Sequence, residues 1–154
     1  MSENENENEE RQRLFTLGEA ERTRAELEPL LIEAMETRKK MADLEMEIMA
    51  LTERIVRQGG VIIPYERAAN TRMERDKVAA TLQASLERIH STGCVVKDLD
   101  VGLLDFPSRI HGEAVYLCWR LGEDRIRFYH RQDEGFSGRK PIDPRDSGYK
   151  SPIQ

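Results

Sequence analysis

Between residues 14 and 92, apolar residues recur every three or four positions, which is the spacing of helices with one buried face. From residue 27 onwards the spacing becomes heptad. One heptad position holds Leu27, Ala34, Met41, Ile48 and Ile55, and the other holds Leu30, Thr37, Leu44, Leu51 and Gln58. Eight of these ten residues are apolar, so the pattern predicts a long helix with a coiled-coil seam.

The ends of this helix are marked by short-range signals. Thr16 and Glu19 form a capping-box pair that predicts the start, and Gly59-Gly60 predicts an end near residue 58. Pro29 is expected to kink the helix or to separate a short leading segment. A second helix is predicted from about Glu66 to His90, antiparallel to the first.

The second helix is less apolar along its predicted seam. That seam reads Ala68, Arg72, Arg75, Ala79, Leu82, Leu86 and Ile89. Its arginines need either acidic partners or contact with water, and an antiparallel hairpin would bring them towards Glu45, Glu47 and Glu53. A hairpin of this length is too long for a small sheet to cover, so we expect a homo-oligomer formed through the helical seam.

After Gly93 the period changes from helical to two-fold. Short apolar runs at 94–97, 102–106, 114–121 and 125–131 predict a small antiparallel β-sheet of about four strands. The predicted fold class is therefore α+β. The expected organisation is an acidic disordered tail at 1–13, a helical hairpin at 14–92, the sheet at 93–142 and an irregular tail at 143–154.

Composition narrows the class of protein. The net charge of −5 argues against a nucleic-acid partner, and neither a signal peptide nor a run of about 20 apolar residues is evident. Cys94 and Cys118 do not form a metal-binding or redox pair in sequence, so free thiols are expected. These features favour a cytoplasmic protein that has no membrane partner. They do not identify a protein partner.

The candidate chemistry lies in the predicted sheet. Cys118 and His130, with Asp105 or Glu113, have the donor atoms for a divalent metal site or for a thiol nucleophile and its base. A two-residue turn at Gly122-Glu123 would place Cys118 and His130 on opposite faces of the sheet. A three-residue turn would pair Tyr116 with His130, so that both side chains could share a face.

Each candidate also has a structural interpretation. His130 would end an apolar face at its rim, Cys118 would be a small hydrophobe, and Asp105 would fix a turn at a strand end. Arg125, Arg127 and Arg131 are expected on one strand face, with Arg139 on an adjoining loop. This arginine face would bind anions or nucleic acid, or would form ion pairs with neighbouring acids.

Several sequence blocks carry a family resemblance. They are Gly102-Leu103-Leu104-Asp105-Phe106, residues 117–123 (LCWRLGE), and Tyr129-His130 followed by Gly135-Phe136 and Arg139. With the helix start at 15–20 (FTLGEA), they resemble the bacterial family catalogued as domain of unknown function 2203. The resemblance implies no known activity. Tyr129 and Lys140 depart from it, since tryptophan and glutamine are expected there.

No catalytic residue can be assigned from this sequence. The heptads favour a non-enzymatic interaction or assembly protein with a ligand or partner site on the sheet. The alternatives are a metal-binding or metal-dependent hydrolytic protein centred on His130, and a nucleic-acid- or anion-binding protein that uses the arginine face.

Overall fold

The computed structural model describes residues 12–57 and 65–149. Two long helices, α1 (Leu17–Arg57) and α2 (Tyr65–His90), precede a five-stranded antiparallel sheet. The strands are β1 (Val95–Asp98), β2 (Leu103–Ile110), β3 (Glu113–Arg120), β4 (Phe128–Arg131) and β5 (Lys140–Pro141), in that order across the sheet. The predicted α+β class is confirmed.

The backbone contacts divide the chain into two units. The sheet unit comprises residues up to Leu31 together with those from Arg88 onwards, and the helical unit comprises Ile32–Glu87. Neither helix within the described ranges is long and apolar enough to cross a lipid bilayer. Residues 1–11 of the tail predicted at 1–13, and the Gly59-Gly60 stop, lie outside the described residues. The tail's last residue, Arg13, is described and donates to the Thr92 carbonyl oxygen at 3.0 Å.

The start of α1 follows the sequence prediction closely. The Glu19 amide donates to Thr16 Oγ1 at 3.1 Å, and the Thr16 hydroxyl donates to the Glu19 carboxylate at 3.2 Å. Pro29 does not separate a leading segment, because α1 is helical on both sides of it. Pro29 is exposed, and buried Leu27 and Leu31 anchor the turns on either side of it.

In the helical unit the two helices run antiparallel. Lys40 pairs with Glu74 at 3.6 Å and Glu47 with Arg67 at 3.8 Å, so the paired residue numbers rise on one helix as they fall on the other. The buried side chains are few and mostly small or medium in size: Ala34, Leu44 and Leu51 on α1, and Thr71, Val78, Leu82 and Ser85 on α2. Arg72, expected in the α2 seam, is exposed instead, because Thr71 and Val78 take the inward positions.

The sheet differs from the prediction in three strands. β2 runs on to Ile110, beyond its predicted end at 106. β5 is an additional strand of two residues that pairs with β4. β4 begins at Phe128 rather than at residue 125, because side chains hold the preceding residues out of the ladder. The Ile126 amide donates to Glu21 Oε1 at 2.6 Å, and the Arg127 guanidinium donates to both oxygens of Asp124.

β2 continues past Asp105 through Pro107, so the interpretation of Asp105 as a turn residue is wrong. β1 pairs only with residues 103–105, which leaves the outer edge of β2 open beyond that point. Pro107 directs its carbonyl to this edge, where the Phe15 amide donates to it at 2.8 Å. The missing proline N–H therefore lies on an edge and removes no hydrogen bond from the ladder with β3.

The two faces of the sheet have different contents. On the face towards the start of α1, the Phe15 and Phe106 rings meet edge to face with centroids 5.3 Å apart, and the Arg24 guanidinium lies over the Trp119 ring. The other face carries Asp105, Cys118 and His130. The last described residue, Tyr149, packs beside Tyr129 and is buried. The prediction of an irregular tail at 143–154 did not include this contact.

Candidate metal centre

Three adjacent strands bring Asp105, Cys118 and His130 together. Asp105 on β2 is directly opposite Cys118 on β3, and Tyr116 on β3 is directly opposite His130 on β4. Since residues opposite each other share a face and side chains alternate along a strand, all three point to the same side of the sheet. This is the register expected from a three-residue turn, although residues 121–127 form a longer connection between the strands.

The three side chains meet in the protein interior. One ligand-type atom from each side chain, the Cys118 Sγ, an imidazole nitrogen and a carboxylate oxygen, can be chosen so that all lie within 4.8 Å of one another. His130 Nε2 is 2.9 Å from Asp105 Oδ2, and the two side chains are 4% and 1% exposed. His130 therefore lies inside the sheet unit and not at the rim of an apolar face.

The orientation of His130 is set by the backbone. Its Nδ1 is 2.8 Å from the Arg131 carbonyl oxygen, which can only accept a hydrogen bond, so Nδ1 carries a proton. Nε2 is then the nitrogen directed at Asp105 and Cys118. A ligating histidine in metal sites commonly donates its second ring N–H in this way. No sequence pattern reveals a carbonyl in this role, because every residue has one.

Burial controls the protonation of the cluster. It raises the pKa of the Asp105 carboxyl, and the charge of His130 together with hydrogen bonding by His130 and by the Cys118 thiol opposes that rise. Burial, followed by the charge of Asp105, raises the pKa of the Cys118 thiol to about 12. In the absence of a cation, Cys118 is therefore a neutral thiol near pH 7. Asp105 Oδ2 and His130 Nε2 are joined by a hydrogen bond.

Three buried side-chain atoms lack a hydrogen-bond partner among the described residues: Asp105 Oδ1, Arg109 Nε and Arg139 Nε, of which only Asp105 Oδ1 belongs to the cluster. Asp105 Oδ1 is inaccessible to solvent and has no hydrogen-bond partner among the described residues. A buried carboxylate oxygen without a partner usually costs free energy, so such an atom calls for an explanation. A bound cation would satisfy it. Sulfur, nitrogen and oxygen donors in one cluster also match the preferences of Zn²⁺ and similar divalent transition metals.

The distance between His130 Nε2 and Asp105 Oδ2 is that of a hydrogen bond and is shorter than the distance between two ligands of one metal ion. Two ligands of one tetrahedral Zn²⁺ lie roughly 3.3 to 3.8 Å apart, given bond lengths of about 2.0 to 2.3 Å. The 2.9 Å between His130 Nε2 and Asp105 Oδ2 would therefore widen by less than about 1 Å on metal binding. Such a change is within the reach of side-chain rotation.

Glu113, the alternative acidic candidate, is not part of the cluster. It lies at the exposed start of β3 and pairs with the Arg131 guanidinium at 2.9 Å. Counting along β3, Glu113 shares its face with Val115 and Leu117, whereas Cys118 is on the opposite face. The structure therefore joins Asp105, and not Glu113, to Cys118 and His130.

The predicted arginine face does not form as expected. Arg125 and Arg127 precede β4, so they are not aligned with Arg131 on a strand. Arg127 is paired with Asp124, Arg131 with Glu113, and Arg139 with Glu123. Three of the four guanidinium groups thus already have carboxylate partners, which leaves little uncompensated positive charge for an anion.

Arg139 has a structural position that its sequence does not reveal. Its guanidinium donates to both oxygens of Glu123, at 2.6 and 2.9 Å, and lies 4.1 Å from the centroid of Phe128 and 4.5 Å from that of Phe136. The same group approaches the Cys118 carbonyl oxygen at 3.4 Å. Arg139 therefore holds the segment after β4 against the strand that carries Cys118.

The fold and the cluster define a class of protein: an α+β protein with a long helical pair and an Asp-Cys-His cluster inside a small antiparallel sheet. Residues 13–142 match the model of a family described as "Uncharacterized conserved protein (DUF2203)". The chain belongs to this family, and the resemblance seen in its sequence blocks is confirmed. Searches of curated proteins and of solved structures found no match.

Proposed function

We propose that this protein binds one divalent transition-metal ion of the zinc type through Asp105, Cys118 and His130. The observation that carries the proposal is the convergence of three different donor side chains, all buried, on one point between three strands. Asp105 Oδ1 adds a second argument, since it is the one cluster atom among the three buried side-chain atoms that lack a geometrically good hydrogen bond within the described residues.

The burial of the donors supports a structural role for the ion. A structural zinc usually has four protein ligands, whereas a catalytic zinc has three and keeps the fourth position for water or substrate. The cluster offers three ligands, so it is their burial, and not their number, that favours the structural role. Asp105, Cys118 and His130 are each almost completely buried, so an ion between them would link β2, β3 and β4 rather than meet a substrate. This arrangement favours a non-enzymatic protein over the metal-dependent hydrolase considered from the sequence.

Binding would release protons from the cluster. The Cys118 thiol must lose its proton, and the hydrogen bond between Asp105 and His130 must give up its proton, before these groups can bind a cation, so affinity should rise with pH. The bound ion would offset the cost of enclosing the carboxylate. Lys97 supplies further positive charge near Asp105 and already lies over the Tyr116 ring.

The experiment is metal analysis combined with thermal unfolding. The full-length protein, purified without chelator, is analysed for bound metal by native mass spectrometry and then titrated with Co²⁺. We expect one ion per chain and a thiolate-to-cobalt charge-transfer band. A free ion concentration of about 100 times the Kd stabilises the folded protein by about 2.7 kcal/mol. Removing the ion with a chelator should therefore lower the Tm by roughly 5 to 10 °C.

Matched variants separate this site from adventitious binding. Cys118→Ala should abolish the charge-transfer band, and Asp105→Asn should weaken binding. Cys94→Ala removes the other buried thiol, and His111→Gln removes an exposed imidazole; neither should alter the stoichiometry. A protein that takes up no Co²⁺ and keeps its Tm in chelator would refute the proposal. So would a band that survives in Cys118→Ala.

A further inference from the structure

The helical unit has a second apolar stripe on α1, separate from the buried seam. Its residues also follow heptad spacing: Met35, Ala42, Met49 and Val56 at one position, with Lys39, Met46 and Glu53 at the other. Met46, Met49 and Val56 are 69%, 71% and 76% exposed. At about 100° per residue, Met49 lies about 140° around the helix from buried Leu44.

This stripe is unusual for a helix surface. Isolated exposed apolar residues are common, but a heptad series of exposed methionines and valine is the pattern of a helix that packs against another helix. The heptad seam that contains Ala34, Leu44 and Leu51 is not available to another molecule, because these three residues are buried within the chain itself. The second stripe extends over residues 35–56, which is roughly 30 Å of helix.

The charges on the stripe indicate what covers it. Lys39 lies seven residues before Met46, and Glu53 lies seven residues after it; these are the only charged residues of the series. The Glu53 carboxylate also pairs with Arg57 one turn further along α1, at 2.7 Å on the exposed helix surface. If a second α1 lay antiparallel across the stripe, Lys39 of each copy would approach Glu53 of the other. A parallel copy would bring like charges together. The pattern is thus complementary to itself under a two-fold rotation, as an isologous interface requires.

We propose that two copies of this chain dimerise through the α1 stripe, with the two helices antiparallel and the Met46 side chains near the two-fold axis. The apolar residues supply the buried surface, and the two Lys39-Glu53 pairs select the orientation. The dimer forms independently of the cluster in the sheet unit.

The test is sedimentation equilibrium of the full-length protein at micromolar concentrations. We expect a monomer-dimer equilibrium. Met49→Glu should raise the dimer Kd by more than about tenfold, since it buries an unpaired carboxylate in an apolar seam. Because Met49 is exposed, the monomer should keep its helix content by circular dichroism. Thr81→Glu, at an exposed position on α2, is the matched control and should leave the Kd unchanged.

A charge exchange tests the orientation. Lys39→Glu should weaken the dimer, because two like charges then meet at each end. The double variant Lys39→Glu with Glu53→Lys should restore it. A wild-type protein that stays monomeric, or a dimer that tolerates Met49→Glu, overturns the interface. A double variant weaker than Lys39→Glu alone overturns the antiparallel arrangement.

Discussion

The two units of this protein build their interiors differently. In the sheet unit, large side chains are completely enclosed: Phe15, Phe106 and Trp119 have no exposed surface, and the buried region also contains the polar cluster. In the helical unit, the buried positions form one narrow stripe on each helix, and two of them on α2 are the polar residues Thr71 and Ser85.

The difference follows from how many sides of an element can be covered. The sheet unit has the start of α1, up to Leu31, on one face, while the segment around Arg139 lies over the other, so both faces are buried. In the helical unit each helix has one neighbour within the unit, and most of its circumference remains available to solvent or to another molecule. A buried carboxylate can therefore be enclosed only in the sheet unit. Exposed methionines accumulate in the helical unit.

The largest expected effect tests this contrast directly. Trp119→Ala should destabilise the sheet unit by about 4 kcal/mol, because it leaves a large cavity among enclosed neighbours and removes the hydrogen bond from its indole to the Glu123 carbonyl. Leu51→Ala in the helical unit should cost about 2 kcal/mol, since its site can collapse or admit water. Urea unfolding followed by circular dichroism measures both; equal losses would contradict the proposed difference between the interiors.

A second effect concerns the buried polar pair. In metal-free buffer, His130→Ala should lower the free energy of unfolding by about 3 kcal/mol, because the Asp105 carboxyl then loses its partner in the interior. The double variant Asp105→Leu with His130→Leu should regain most of this stability, since it leaves neither a buried charge nor a buried polar atom without a partner. If the double variant is the less stable of the two, desolvation is not the dominant cost at this site.

The smallest expected effect concerns an ion pair on the surface, where solvent screening should make such pairs contribute little to the stability of either unit. Hydrogen bonds from Arg127, more than any other contact, lower the pKa of exposed Asp124 to about 2. A lowered folded-state pKa means that the pair stabilises the protein above the usual pKa of 3.8, and that this contribution disappears as the pH falls towards 2.

Asp124→Asn should therefore cause only a slight loss of Tm at neutral pH, and a smaller one in high salt. NMR titration of the Asp124 carboxyl carbon measures the pKa itself. A midpoint near 3.8 would show that the bidentate contact with Arg127 is not populated in solution.

Much of the helical architecture could be predicted because its signals are local. The Thr16-Glu19 cap, the start of α1 and the end of α2 required only residues within a few positions of each other. The seam of α2 was harder to predict. Its partner helix, and not its own hydrophobicity, decides that Thr71 faces inwards while Arg72 faces solvent.

The cluster itself could be predicted only as one of two alternatives. Cys118, His130 and Asp105 were recognisable as donors, but whether they share a face depends on the register between β3 and β4. That register is set by contacts distant in sequence, such as the Ile126 amide with Glu21 Oε1. Glu113 was an equal candidate by residue type, and only its place on the other face of β3 excludes it from the cluster.

The sequence alone determined the α+β class, the two helices and the family, because periodicity and capping are properties of neighbouring residues. Tertiary structure decided which donors meet, which arginines are neutralised by carboxylates and which α1 stripe stays exposed. A shift of one residue in strand pairing moves every side chain to the opposite face, and the free energy that selects the register comes from burial of the whole sheet.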